Sequence, residues 1–291
     1  MQRILVTGAT GNVGREIVSQ LLSSDVLVRA MVRIPESANL PREVEVVRGD
    51  LTVPESLDAC LNGFDDIFLV WTAPPDSVVP VVERMAKRVR RIVFLSNMTV
   101  RDDSEEQNYP VTVLHRKIER LIEASGVRWT FLRPGAFATN TVIWWAPQIR
   151  AGDVVHWPYG DAALSPIHQY DIAAVAVRAL TVDGHAGAKY ILTGTQSLTL
   201  REQVLTIGGA IGRPLRFEET SPEVARREMR ALMTAPIADM LLSAFAAAVG
   251  KPAPVTSTVE QVTGTPARSF RDWAVDHAIE FQVRLRPGCK G

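Results

Sequence analysis

Short apolar runs of strand length alternate with stretches of helical period through the first part of the chain. Ile4-Leu5-Val6 is apolar at successive positions, as a strand buried on both faces must be. Polar and glycine positions follow, and then Ile17, Leu21 and Leu22 fall on one helical face. The same alternation predicts strands over Val26–Arg33, Val44–Asp50, Asp66–Trp71, Arg91–Ser96 and Arg128–Pro134. Helices are predicted between them over Pro54–Leu61, with Leu57 and Cys60 inward, Val78–Arg88 and Pro110–Ser125. This order predicts an α/β fold of Rossmann-like type, a doubly wound parallel sheet covered on both faces.

The texture changes after Pro134. Helical spacing recurs over Asp171–Leu180, Leu200–Gly209, Ile237–Val249 and Phe270–Phe281, and Ser221-Pro222 has the form of a helix start. Strands are predicted at Tyr190–Thr193 and Leu215–Glu219 among scattered Gly, Pro and Trp. The division expected is a sheet core over 1–135, with returning segments, and a smaller lobe over 136–291.

Gly8, Gly11 and Gly14 sit between the first strand and the first helix, spaced G-x-x-G-x-x-G. Such a turn lets the backbone approach a ligand closely, and the helix N-terminus offers free N–H groups with a partial positive charge. In this strand–turn–helix context the pattern points to a pyrophosphate. Roughly 20 residues further on, where an acidic side chain would read a ribose 2′-hydroxyl, the second strand ends in Val32-Arg33. A guanidinium there pairs with a 2′-phosphate and stacks on adenine, so NADP(H) is expected in preference to NAD(H).

Composition narrows the classes. The chain has 291 residues, zero formal net charge and 46% hydrophobic residues. Balanced charge argues against a nucleic-acid or acidic-membrane partner. No apolar run reaches the ~18 residues of a membrane span. The opening strand leaves no room for a signal peptide, so the cytoplasm is the expected compartment. Cys60 and Cys289 lack metal-ligand spacing, and no metal is expected; Cys60 reads as a packing residue and Cys289 as part of a mobile tail.

The motif Val6-Thr7-Gly8-Ala9-Thr10-Gly11-Asn12-Val13-Gly14 resembles the atypical short-chain dehydrogenase/reductases of the NmrA-like type. Arg33, Gly49-Asp50-Leu51, Phe94-Leu95-Ser96, Glu119 through Gly126 leading into Thr130-Phe131-Leu132-Arg133-Pro134, and Asp171-Ile172-Ala173 extend the resemblance over nearly the whole chain. It implies a cofactor at the carboxyl edge of the sheet and a lobe closing a substrate cleft. By resemblance, Gly8, Thr10, Gly11, Asn12, Val13 and Gly14 cradle the phosphates, and Asp50 and Leu51 hold adenine. Thr72 and Ala73 line the path beside the cofactor, Ser96 and His115 contact it, and Pro134, Gly135 and Phe137 lie by the nicotinamide carboxamide.

The family's Ser/Tyr/Lys machinery needs a phenol to hand a proton to a carbonyl, with a lysine four residues on lowering its pKa. Anchoring on Glu119 puts His115 in the lysine position and Val111 in the tyrosine position. Anchoring on Val93-Phe94 puts Asn97 in the serine position, flanked by Ser96 and Thr99. Taking Lys117 as the lysine gives Val113 as its partner. No register supplies the phenol, and Tyr109 is the nearest one. The catalytic candidates are therefore His115, Asn97 and Tyr109, with water or the substrate as other proton sources.

Phe137, Trp144, Trp145, Trp157 and Tyr159, with His156 among them, follow the sixth strand, where aromatic side chains either stack on a flat substrate or pack the lobe. His168 reads as positioning the helix that follows it. The charged run Arg101–Glu106 reads as a solvated, mobile loop. Two readings stand: a reductase acting with NADPH on a small aromatic, quinone-like or ketone substrate, and a non-catalytic NADP(H) sensor with a protein partner. Epimerase chemistry is a weaker third, since such relatives keep the tyrosine.

Overall fold

The computed structural model describes residues 1–104, 107 and 109–282. Cys289, Glu105 and Glu106 lie outside the described residues. The chain divides into two units, one of residues 1–135, 169–193 and 256–267, the other of residues 136–168, 194–255 and, among the described residues, 268–282.

The first unit is built on β1 (Gln2–Thr7), α1 (Asn12–Leu21), β2 (Val26–Val32), β3 (Glu45–Arg48), α2 (Leu57–Leu61), β4 (Asp66–Leu69), α3 (Val78–Ala86), β5 (Arg91–Leu95), α4 (Pro110–Ala124) and β6 (Arg128–Pro134). Strand Ala188–Leu192 joins β6, giving the order β3-β2-β1-β4-β5-β6-(188–192). Every pairing is parallel. Ile4, Leu5 and Val6 are fully buried, as central strands covered on both faces require. Leu57, Cys60, Val78, Val82, Met85, Ile118 and Ile122 form one apolar layer from α2, α3 and α4. Helix Gln169–Thr181 packs against α1. Strand order reverses between β1 and β4, the place where doubly wound sheets open a crevice at their carboxyl ends.

The expected helix over 54–61 begins as a tight turn at Pro54–Ser56 before α2 proper. Cys60 is fully buried, with its thiol toward Arg48 O.

The second unit holds helices Asn140–Ala151, Leu200–Ile211, Pro222–Met229, Ala235–Ala248, Phe270–Asp276 and Ala278–Phe281. Strand Val154–Trp157 pairs in parallel with Arg216–Glu219, and Ala163–Leu164 pairs antiparallel with Leu198–Thr199. Its core joins Trp144, Trp145, Trp157, Phe245, Trp273 and Phe281. The expected helix over 270–281 is split at His277. Among the described residues, no helix is long and apolar enough to cross a membrane.

Candidate functional site

At the end of β1, Gly8 turns the chain with φ +62°, and its carbonyl accepts from Gly11 N–H at 2.9 Å. A Cβ on Gly14 would lie 2.1 Å from Gly8 O, so only glycine lets α1 start this close to the strand. The N-cap of α1 is Gly11, which brings no side chain to the first-turn N–H groups. Those donors are left for an anion. Thr7 ties the crevice together: its Oγ1 accepts from Val70 N–H at 2.7 Å and faces Phe68 O and Val70 O at 3.2 and 3.3 Å.

A groove of ≈ 360 Å³ runs from this turn to the ends of β2, β3 and β4. Gly8, Thr10, Gly11, Arg33, Asp50, Leu51 and Thr72 line it, so seven of the expected cofactor residues converge on one surface. Arg33 is exposed there and makes no ion pair among the described residues. Asp50 turns its Oδ1 to the Thr52 backbone N–H (2.8 Å) and hydroxyl (2.9 Å). Those bonds, with the charge of Arg33, hold its carboxyl below the usual carboxylate value. The glycine cradle, the free helix N-terminus and the unpaired guanidinium fit a dinucleotide carrying a third phosphate.

Asn12, Val13 and Gly14 form the first turn of α1. Ala73 is buried, and its carbonyl accepts from Trp71 Nε1 at 2.6 Å. Pro134 O receives Met98 N–H at 3.0 Å and Gly135 N–H donates to Leu192 O at 2.9 Å, which fixes the end of β6. Ser96, expected at the cofactor, turns inward instead: its Oγ donates to buried Glu119 Oε1 at 2.6 Å.

Asn97 and His115 come together beyond β5. Asn97 Nδ2 lies 2.9 Å from His115 Nδ1. Asn97 Oδ1 accepts the Thr99 N–H at 3.0 Å and the Thr99 hydroxyl, which fixes the amide orientation. Nδ2 therefore donates to Nδ1, and the neutral imidazole carries its proton on Nε2. Burial pushes His115 down to about 4, so the ring is neutral at ordinary pH. Thr99 Oγ1 is held in turn by Thr112 Oγ1 at 2.6 Å. Four residues before His115, on the same helical face, Val111 is 41% exposed. Tyr109 lies in a hollow with Pro75, Val113, Leu114 and Lys117, which His115 does not line.

An ion network beside this site was not legible in the sequence. Arg133 donates to Glu119 through Nε (3.0 Å) and Nη2 (2.6 Å), and to Asp102 at 2.7 and 2.9 Å. Lys189 bridges Asp102 (2.8 Å) and Glu123 (2.9 Å). The Arg133 hydrogen bonds, reinforced by Lys189, hold the Asp102 carboxyl far below its ordinary value. The run Arg101–Glu106, expected to be a solvated, mobile loop, is anchored at Asp102 in its described part, 101–104.

Of the aromatic candidates, Trp145 has no exposed surface and Trp144 and Trp157 are also buried. They pack within the core of the second unit, where Trp144 stacks on Trp157 at 6.1 Å and meets Phe245 edge-on at 5.6 Å between ring centroids. Packing, not presentation to a ligand, accounts for Trp145. Tyr159 and Phe137 are half-buried in the same unit. His168 Nε2 lies 3.4 Å from Asp276 Oδ2. Among the described residues, no three His, Cys, Asp or Glu side chains cluster as metal ligands.

A family profile described as NAD(P)H-binding matches residues 8–183. The chain is 42% identical to the (4-alkanoyl-5-oxo-2,5-dihydrofuran-3-yl)methyl phosphate reductase of Streptomyces griseus, covering 96% of this chain and 99% of that one. It is 34% identical to the NAD(P)H azoreductase of Xenophilus azovorans, again over 96% and 99%. Among solved structures it resembles the triphenylmethane reductase of Citrobacter sp. complexed with NADP(H), with a TM-score of 0.80, 22% identity and coverage of 95% and 99%.

Proposed function

This chain belongs to the NAD(P)H-binding family, as an oxidoreductase of the NmrA-like superfamily, and from that premise we propose that it reduces a small, electron-poor conjugated acceptor with NADPH, without a phenolic acid. Quinones, activated aromatic ketones and enones form this class. The observation that carries the reading is the pairing of Val111 with a neutral His115 oriented by Asn97.

When bound, the nicotinamide supplies hydride. The residues of this chain do the rest. The N–H groups at the start of α1 take the pyrophosphate, and Arg33 takes the 2′-phosphate that distinguishes NADPH from NADH. His115 offers an Nε2–H to a ribose hydroxyl or to the oxygen on which charge develops. A neutral imidazole with so depressed a pKa is a poor acid, and Val111 brings none. Such a site suits acceptors that spread the added charge over a π system, where a hydrogen bond and a proton from water suffice. An isolated ketone needs a strong acid at its oxygen, which typically contributes about 10²–10⁴-fold.

The relatives' names support this reading. An acylated oxo-dihydrofuran and azo compounds are both conjugated acceptors. The test is NADPH oxidation with a panel of quinones, enones, azo dyes and simple ketones. Turnover confined to conjugated acceptors supports the proposal. Tight NADPH binding with no turnover across the panel overturns it in favour of a redox sensor.

A further inference from the structure

One side chain ties the segment after β2 to the glycine turn. Arg15 donates from Nε to Thr10 O at 3.0 Å, from Nη1 to Asn39 O at 3.1 Å and from Nη2 to Ala38 O at 3.3 Å. Thr10 belongs to the glycine turn. Ala38 and Asn39 close the segment that begins at Arg33, and Asn39 sits in the left-handed region with φ +45°. Asparagine tolerates that conformation better than most side chains, and it turns the chain so that the carbonyls of 38 and 39 both face Arg15. Arg33, Ser37 and Ala38 all line the groove, so this segment forms its wall on the Arg33 side.

The position of Arg15 is costly on its own terms. It lies in the first turn of α1, where the positive end of the helix dipole disfavours a cation. Its three acceptors are neutral carbonyls, and among the described residues no carboxylate pairs with it. Arg15 thus brings a second guanidinium, besides that of Arg33, against the segment that walls the groove, though its own side chain does not line it. A helix built only to hold a pyrophosphate has no need of that second cation. A groove that must also hold a 2′-phosphate dianion gains the fixed wall that Arg15 supplies.

We infer that Arg15 is a positioning residue for cofactor choice: it braces the 34–39 segment against the glycine turn and so pre-forms the 2′-phosphate end of the groove. This role rests on the NADP(H) reading above. Pre-forming the wall removes the ordering cost that binding would otherwise carry.

Arg15→Met and Arg15→Lys test it. NADPH, NADH and 2′,5′-ADP are titrated against each variant, and backbone amide exchange is followed over 34–39, where Ala38 N–H is bonded to Pro35 O. Both variants are expected to bind NADPH and 2′,5′-ADP about 10-fold more weakly while NADH changes little, as loss of a few hydrogen bonds predicts. Exchange should rise over 34–39 and stay unchanged in β5 (Arg91–Leu95), which shows that the unit carrying Arg15 is folded. Unchanged exchange over 34–39 overturns the brace. Wild-type affinity in Arg15→Lys overturns it too, because charge alone would then suffice. Equal binding of NADPH and NADH by the wild type overturns the NADP(H) reading itself, and with it the role in choice.

Discussion

Asn97 Nδ2 points at His115 Nδ1 from 2.9 Å, and that contact decides which ring nitrogen holds the proton. Thr99 occupies the amide oxygen, so Asn97 has only its NH₂ to offer the ring. The site thus presents a neutral Nε2–H donor, and His115 titrates near 4 instead of 6.5. Turnover should be flat from about pH 8 down to about pH 5, the window in which an ordinary histidine changes charge. Asn97→Asp places a carboxylate beside the ring, favours the imidazolium and should bring a titration into that window. A wild-type step near pH 6.5 in kcat/KM would rule out the neutral donor.

The same burial makes stability depend on pH. His115 and His168 both sit near 4 in the folded protein, from 6.5, in each case chiefly through desolvation. Between those values the unfolded chain binds more protons than the folded one. Stability should therefore be fully present above pH 6.5 and be lost as pH falls towards 4. His115→Gln cannot titrate, so its Tm should fall less steeply over that interval than the wild type's. Parallel Tm curves for the two proteins would contradict the assignment.

Glu119 and Arg133 form a buried pair that also receives Ser96 Oγ and reaches out to Asp102. Removing Glu119 leaves buried Arg133 with only the half of its bonds that go to Asp102, and Ser96 Oγ without its acceptor. Glu119→Ala should cost up to about 3 kcal/mol, measured by urea unfolding, because Asp102 alone offsets the desolvation of Arg133 less completely. Glu119→Gln keeps an acceptor for Arg133 and should cost less. Asp102→Asn should cost less still, since Asp102 is exposed, and should increase amide exchange near the anchored segment at 101–104.

The sheet was legible because its signal is short-range. A buried parallel strand is a run of apolar residues, and the glycine turn is spelled out between β1 and α1. The helix Asn140–Ala151 escaped notice because Trp144, Trp145 and Ala146 are apolar on successive faces and Pro147 lies inside it, which erases the helical period. Asn97 and His115 were brought into one candidate site by motif alignment, and their contact joins positions 18 apart in sequence. The Asp102–Arg133–Glu119 network carries no local pattern at all. Its members come from a loop, a strand and a helix, so only tertiary structure shows that a charged run is anchored. Arg15 shares that fate: its partners at 38 and 39 are set by the path of the chain after β2.

The glycine turn makes the strictest prediction, because its three glycines are not equivalent. On Gly14 a Cβ would stand 2.1 Å from Gly8 O and 2.8 Å from Ala9 Cα, contacts with backbone that no rotamer relieves. Gly14→Ala must push α1 away from β1, which withdraws the first-turn N–H groups from the groove. NADPH affinity should fall at least about 100-fold, with overpacking costing about 1–3 kcal/mol of stability. On Gly11 the same Cβ would stand 3.3 Å from Gly8 O, a contact that a small backbone shift relieves, so Gly11→Ala should weaken binding far less. Gly126 supplies the control. It has φ +77° with nothing within 4 Å, so Gly126→Ala should lose stability through backbone strain while leaving NADPH affinity at the wild-type value. Isothermal titration of the three variants separates these outcomes. Equal affinities for Gly14→Ala and Gly126→Ala would mean that the first turn of α1 does not hold the pyrophosphate.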